Sequence, residues 1–265
     1  MANINSLVNL CNMCNMKIRK FGKYGKLTEN NHGITVFQDN GANILGVAHL
    51  DAVGKTTPQI RGDIIQCMQL DDRLGAWVLL ELLPQLGCPK FDVLLTDNEE
   101  RGDSTAQYFT PPDGRKYNWI FEFDRMGTDV VMYDYEDDAS EKLLEEYNFK
   151  LGWGSFTDIC HLDHLGCKAF NFGTGYHNQH RKECYADLND TLEMAQKFVE
   201  FAKDQYSVMM PHDPSTSRQP WWHYNTSQYK YVATEMDDKE FCYNCGEYQE
   251  RAWRYCPFCG TKIGY

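Results

Sequence analysis

Short apolar runs recur through the first two thirds of the chain, at 33–38 (Gly-Ile-Thr-Val-Phe-Gln), 43–48 (Asn-Ile-Leu-Gly-Val-Ala), 91–96 (Phe-Asp-Val-Leu-Leu-Thr), 118–123, 128–133 and 167–172. Rich in β-branched and aromatic residues and bounded by turn formers, they read as strands. Near 73–86, 103–109, 139–148 and 190–204 the apolar positions follow helical spacing instead. The alternation predicts an α/β fold, a sheet flanked by helices. At the start of the chain, Ile4, Leu7, Val8, Cys11, Cys14 and Ile18 predict an amphipathic helix over 4–18, with both thiols on its apolar face as small buried groups. From 204 to about 236 the periodicity disappears. Pro211, Pro214, Pro220 and the aromatics Trp221, Trp222, Tyr224, Tyr229 and Tyr231 read there as a linker that packs its rings. The pattern thus divides the chain into 1–203, a linker 204–236 and a compact last module 237–265.

A chain of 265 residues accommodates one large α/β domain and an appendage. With 42% hydrophobic and 24% charged residues a true core is expected, and disorder, a fibre and a coiled coil are excluded. The net charge of −12 argues against a nucleic-acid partner, which needs clustered Lys and Arg to hold phosphates. No run of about 20 apolar residues is present to span a bilayer, so no membrane partner is expected. The first ten residues lack a basic start, and three asparagines break their apolar run, so a soluble, cytoplasmic protein is expected.

Eleven cysteines, an odd number, fit poorly with a closed disulfide framework. Four of them form two matched pairs, Cys242-Tyr-Asn-Cys245 and Cys256-Pro-Phe-Cys259, each followed by a glycine, Gly246 or Gly260. Two such knuckles present four thiolates to one structural Zn²⁺, and the module resembles a zinc ribbon. So few residues bury little apolar surface, and bound metal would supply the missing stability. The module carries acids and bases in near balance and no basic face. Stabilisation, or docking of a protein partner, is therefore expected of it.

Five segments place acids and histidines where the predicted strands end or helices begin: Ala48-His49-Leu50-Asp51, Leu70-Asp71-Asp72-Arg73-Leu74-Gly75, Thr96-Asp97-Asn98-Glu99-Glu100-Arg101-Gly102, Phe121-Glu122-Phe123-Asp124-Arg125, and Gly175 to Glu183 with His177 and His180. Open α/β sheets bind ligands beyond the carboxyl ends of their strands, so these residues are candidates for one crevice. Carboxylates and imidazoles in this mixture suit a pair of divalent cations bridged by one carboxylate.

In this order the segments resemble the clan of co-catalytic dizinc exopeptidases, over roughly residues 40–200. The resemblance implies a three-layer α/β/α mixed-sheet domain and an active site with two Zn²⁺ or other divalent cations. It assigns His49 and Asp124 to one ion, Glu100 and His180 to the other, and Asp71 as the bridge. It makes Glu99 the general base and Asp51 the acid that supports His49. His177 competes with His180, and Glu183 is the candidate supporter of that histidine. The resemblance further implies a cis peptide at Asp71–Asp72 and places the Gly154-Ser155-Phe156-Thr157-Asp158 turn along the site, where Asp158 is either functional or a helix cap.

The implied activity is hydrolysis of an amide bond, with a peptide or a small acylated amino acid as substrate. The sequence Gly-Tyr-His-Asn-Gln-His favours an aminopeptidase. A carboxypeptidase or deacylase would need a cation for the substrate carboxylate, and Arg73, Arg101, Arg125 and Arg181 all stand beside motif residues. A non-catalytic domain that binds a partner through the ribbon is the reading from another class.

Overall fold

The computed structural model describes residues 4–13, 15–214, 239–241 and 248–250. Cys14, the aromatics at 221–231 and the four ribbon cysteines lie outside these residues. The chain divides into two compact units, 1–216 and 217–265. In the second unit, β12 (Lys239–Phe241) and β13 (Tyr248–Glu250) form an antiparallel pair.

The first unit is built on a mixed sheet. Its centre is parallel, in the order β6 (Asp92–Thr96), β3 (Ile44–His49), β7 (Trp119–Met126) and β10 (Ala169–His177). These strands coincide with the apolar runs read from the sequence, and every residue of β3 and β6 is buried, as expected for strands covered on both faces. Antiparallel strands extend both edges. β2 (Gly33–Gln38) and β1 (Lys26–Asn30) lie beyond β6, and β11 (Tyr185–Asp187), β5 (Ile64–Gln66) and β4 (Gln59–Arg61) beyond β10. The short β8 (Asp129–Val131) also pairs with β10, and β9 (Lys150–Leu151) pairs with β8; between them in the chain lies α4 (Asp138–Glu146), the helix read at 139–148. The edge strands β1 and β4 are exposed and polar, so they carry no apolar run for periodicity to find.

One face of the sheet is aromatic. Trp119, Phe121 and Phe123 of β7 and Phe170 and Phe172 of β10 meet Phe198 and Phe201 of α5 (Leu188–Gln205), with centroids 4.5–6.1 Å apart. Rings at such spacings add stabilisation beyond their buried area. The same face carries α2 (Leu70–Trp77), which continues through a π-helical stretch, Val78–Leu82, into α3 (Leu83–Gln85). Strand alternation turns Glu122 and Asp124 to the opposite face. That face is covered by 3-10 turns at Thr105–Tyr108 and Asp158–His161. The predicted 103–109 helix is the first of these turns, cut short by Pro111 and Pro112.

The predicted 4–18 helix is α1 (Ile4–Asn12) followed by a 3-10 stretch, Asn15–Tyr24. Cys11 is buried as a free thiol hydrogen-bonded to that of Cys67, and Arg73 and Gln69 cap the helix end by donating to the carbonyls of Leu10 and Cys11. Beyond α5 the chain stays on this unit through His212: Met210 and His212 exchange backbone hydrogen bonds with Asn118, Gly166 and Lys168. No helix among the described residues is long and apolar enough to cross a membrane.

Candidate active site

The parallel strands bring their carboxyl ends together, and the register sets which residues meet. His49 at the end of β3 pairs with Thr96 at the end of β6, and Val47 pairs with Glu122, which puts His49 level with Asp124 on β7. Beyond Thr96 the chain turns sharply. Asn98 and Gly102, both left-handed (φ 65° and 68°), bracket a 3-10 turn, Glu99–Arg101. The carboxylate of Asp51 accepts the backbone N–H groups of Glu99 and Glu100 (3.3 and 3.2 Å), fixing that turn against β3. Asp71 opens α2 at a break in the helix, with a cis Asp71–Asp72 peptide, and Asp72 caps the next turn by accepting the N–H of Gly75. His180 arrives from the loop after β10 in a left-handed conformation, φ 62°.

Asp71 stands at the centre. One of its oxygens is 3.1 Å from His49 Nε2 and the other 3.0 Å from His180 Nε2. His49 Nε2 is also 3.6 Å from Asp124 and 3.8 Å from Glu99, while His180 Nε2 is 3.1 Å from Glu100. Donor atoms of His49, Asp71 and Glu100 all lie within 4.8 Å of one another. His49 Nδ1 donates to the backbone carbonyl of Asp51 at 3.1 Å, so Nε2 is the atom turned to the cluster. Asp124 is held on every side: Tyr176 donates to one carboxylate oxygen, the Thr157 hydroxyl lies 3.1 Å from the other, and the Asn171 amide bonds both backbone groups. The cluster forms the floor of a cavity of about 320 Å³.

Electrostatics follow from so many buried acids. Burial, with the charge of Asp124 adding, pushes Glu99 up to about 10, although His49 opposes it. Burial and Asp71 push Asp124 up to about 8. Burial works against charge on His49 too, but Asp124 and Glu99 outweigh it and the imidazole is raised. Hydrogen bonds to Asp71 and Glu100 raise His180 to about 11. Asp71 is held far below the usual carboxylate range because the two histidines overcome its burial. Glu100 keeps one buried oxygen without a partner among the described residues. A buried group of this kind calls for positive charge, and its donor set, carboxylate oxygen and imidazole nitrogen, fits divalent cations.

No protein-family model and no curated protein sequence matches the chain. Solved structures do. They include the aminopeptidase PepT from Bacillus cereus, with a TM-score of 0.55 at 10% identity over 76% of this chain and 97% of that one. A tripeptidase from Staphylococcus aureus gives 0.56 at 10% identity, covering 77% and 99%. An aminopeptidase from the archaeon Desulfurococcus kamchatkensis gives 0.52 at 12% identity, covering 80% and 95%. The chain has the fold of these exopeptidases.

The structure therefore gathers His49, Asp51, Asp71, Glu99, Glu100, Asp124 and His180 at one place on that fold. His177 points elsewhere, its ring against Tyr185, and Glu183 is exposed. Asp158 is neither a bare cap nor a cavity residue. It is wholly buried behind the cluster, accepting the hydroxyls of Thr96 and Ser104. The candidate cations separate as well. Arg73 is buried and donates to Leu10 O, Arg101 and Arg181 are exposed, and Arg125 lines the cavity. Sequence reasoning missed Asn171, whose signal was a polar residue inside the apolar run Ala-Phe-Asn-Phe, and Ser104, which had none.

Proposed function

We propose that the chain is a metal-dependent aminopeptidase. In this reading His49 and Asp124 hold one divalent cation, Glu100 and His180 the other, and Asp71 bridges both, with zinc the expected metal. The bound pair supplies Lewis acidity at the scissile carbonyl and lowers the pKa of water. Glu99, which none of these assignments uses as a ligand, takes the proton of the attacking water on its carboxylate and returns it to the leaving amine. Asp51 positions His49 and the backbone of Glu99 and Glu100. Tyr176, Thr157 and Asn171 position Asp124.

One observation carries the choice of the amino end. Among the described residues lining the cavity, Arg125 is the one Lys or Arg, and its guanidinium is held bidentately by Asp129 at 2.9 and 3.0 Å. With that arginine already neutralised, the described lining offers a substrate carboxylate no free guanidinium or ammonium, which favours recognition of the amino end. The names of the neighbours, aminopeptidases and a tripeptidase, support the same reading.

The last module completes the proposal. Cys242, Cys245, Cys256 and Cys259 hold one structural Zn²⁺ in a ribbon over 237–265, following the 204–236 linker, with a protein rather than nucleic acid as its partner. The protein works in the cytoplasm. Metal analysis of the purified chain, combined with a panel of aminoacyl amides, N-acyl amino acids and short peptides, tests all of this. Three zinc ions per chain are expected, with cleavage from the free amino end that chelation abolishes. Glu99→Gln lowers turnover by about 10²- to 10⁴-fold with the metal retained. One zinc per chain and no cleavage across the panel would sink the enzymatic reading.

A further inference from the structure

After β9 the chain runs along the mouth of the cavity. Gly154, Ser155 and Phe156 line it, and the residue directly before them, Trp153, leaves 77% of its surface in solvent. An indole is a large apolar body that ordinarily finds cover. The backbone on either side of it lies close against its surroundings. The N–H of Gly152 bonds the carbonyl of Val130 at 2.8 Å, and a Cβ at Gly152 would overlap the carboxylate of Asp129. At Gly154 a Cβ would lie 2.9 Å from the Tyr133 ring and 3.0 Å from its hydroxyl.

Both glycines are therefore required by close approach to the cavity wall, since Tyr133 lines it and Asp129 holds the lining residue Arg125. Tyr133 is itself left-handed at φ 50°, a conformation that an aromatic residue keeps only where its surroundings fix it. Met126, another lining residue, is 38% exposed. A cavity of about 320 Å³ is small, and its floor is the carboxylate cluster. A peptide whose amino end reaches that floor meets a lining that includes Gly154, Ser155 and Phe156.

We propose that Trp153 forms a subsite for the residues that follow the cleaved one, with preference for apolar and aromatic side chains there. The inference rests on the aminopeptidase reading and specifies its substrate class. The occupant is the substrate because the exposed indole is continuous in sequence with the cavity wall and stands on a backbone pinned to it.

Steady-state kinetics of the zinc-loaded full chain test the subsite, with Leu-amide, Leu-Gly-Gly and Leu-Phe-Gly as substrates. The wild type prefers Leu-Phe-Gly to Leu-Gly-Gly. In Trp153→Ala the ratio of their kcat/KM values falls by about 5- to 20-fold through KM, the size expected for losing a stacked aromatic contact. Trp153→Phe restores most of the ratio. A ratio unmoved by Trp153→Ala overturns the subsite. So does a change in sedimentation of that variant with the preference intact, which would make the indole a contact between copies of the chain. Failure of the wild type to cleave even Leu-amide would instead overturn the aminopeptidase reading, and the subsite with it.

Discussion

Asp51 does more than the sequence motif asks of it. Its carbonyl orients His49 while its carboxylate accepts two backbone N–H groups from the Glu99–Glu100 turn. One side chain thereby ties the ends of β3 and β6 to each other at the site. Asp51→Ala keeps the carbonyl that orients His49 but removes the acceptor that fixes Glu99 and Glu100, and is expected to weaken metal binding by about 10- to 100-fold through the loosened Glu100. Titration against a chelator of known affinity measures this, and an unchanged affinity would remove Asp51 from the positioning role. The same scale separates the two histidines of the last segment. His180→Ala is expected to lose one of the two metals proposed for the site, whereas His177→Ala keeps both, because its ring rests on Tyr185.

At the scale of elements, the site depends on how closely α2 approaches β7. A Cβ at Gly75 would collide with the carbonyl of Phe123 and with the Asp72 carboxylate that caps the turn. Gly75→Ala must push the helix off the strand, at an expected cost of about 1–3 kcal/mol in stability. Asp71 rides on that helix start, so its metal affinity falls along with the melting temperature, and calorimetry with and without zinc reads both. From the other side, α1 braces the same helix through Ser6, Leu10 and Cys11, which bond Trp77, Arg73 and Gln69. Periodicity located α1 and α2. It did not reveal that their contact makes the seat of Asp71, because a helical repeat records which face is buried and not what lies against it.

For the whole molecule, the acids at the strand ends create a pH dependence of definite sign. Without metal, Glu99 and Asp124 keep their protons to about 10 and about 8 in the fold, against ordinary values of 4.5 and 3.8. The folded state then binds more protons than the unfolded chain across that interval, so stability falls as pH rises through it. His180, raised to about 11 from 6.5, acts in the same direction, its contribution complete below 6.5 and lost towards 11. Asp71, lowered, acts oppositely only below its ordinary 3.8. Melting of the chelated protein should therefore drop steadily from pH 5 to 9, and zinc should flatten the slope by replacing the protons. A melting temperature that climbs over that range in chelator would contradict the arrangement.

By itself the sequence determined the α/β class, the four central strands and the candidate acids and histidines, because burial on both faces writes an unbroken apolar run and the functional groups follow where each run stops. It missed β1 and β4, which are polar and exposed. Only the tertiary structure decided which groups meet. The register of β3 with β6 and β7 set His49 beside Asp124, a left-handed turn aimed His180 instead of His177, and Asp129 claimed Arg125. Asn171 and Asp158 acquired their places from strands and loops more than forty residues away. A local pattern reports how deeply a residue is buried; its partners are fixed by chain segments that the pattern never compares.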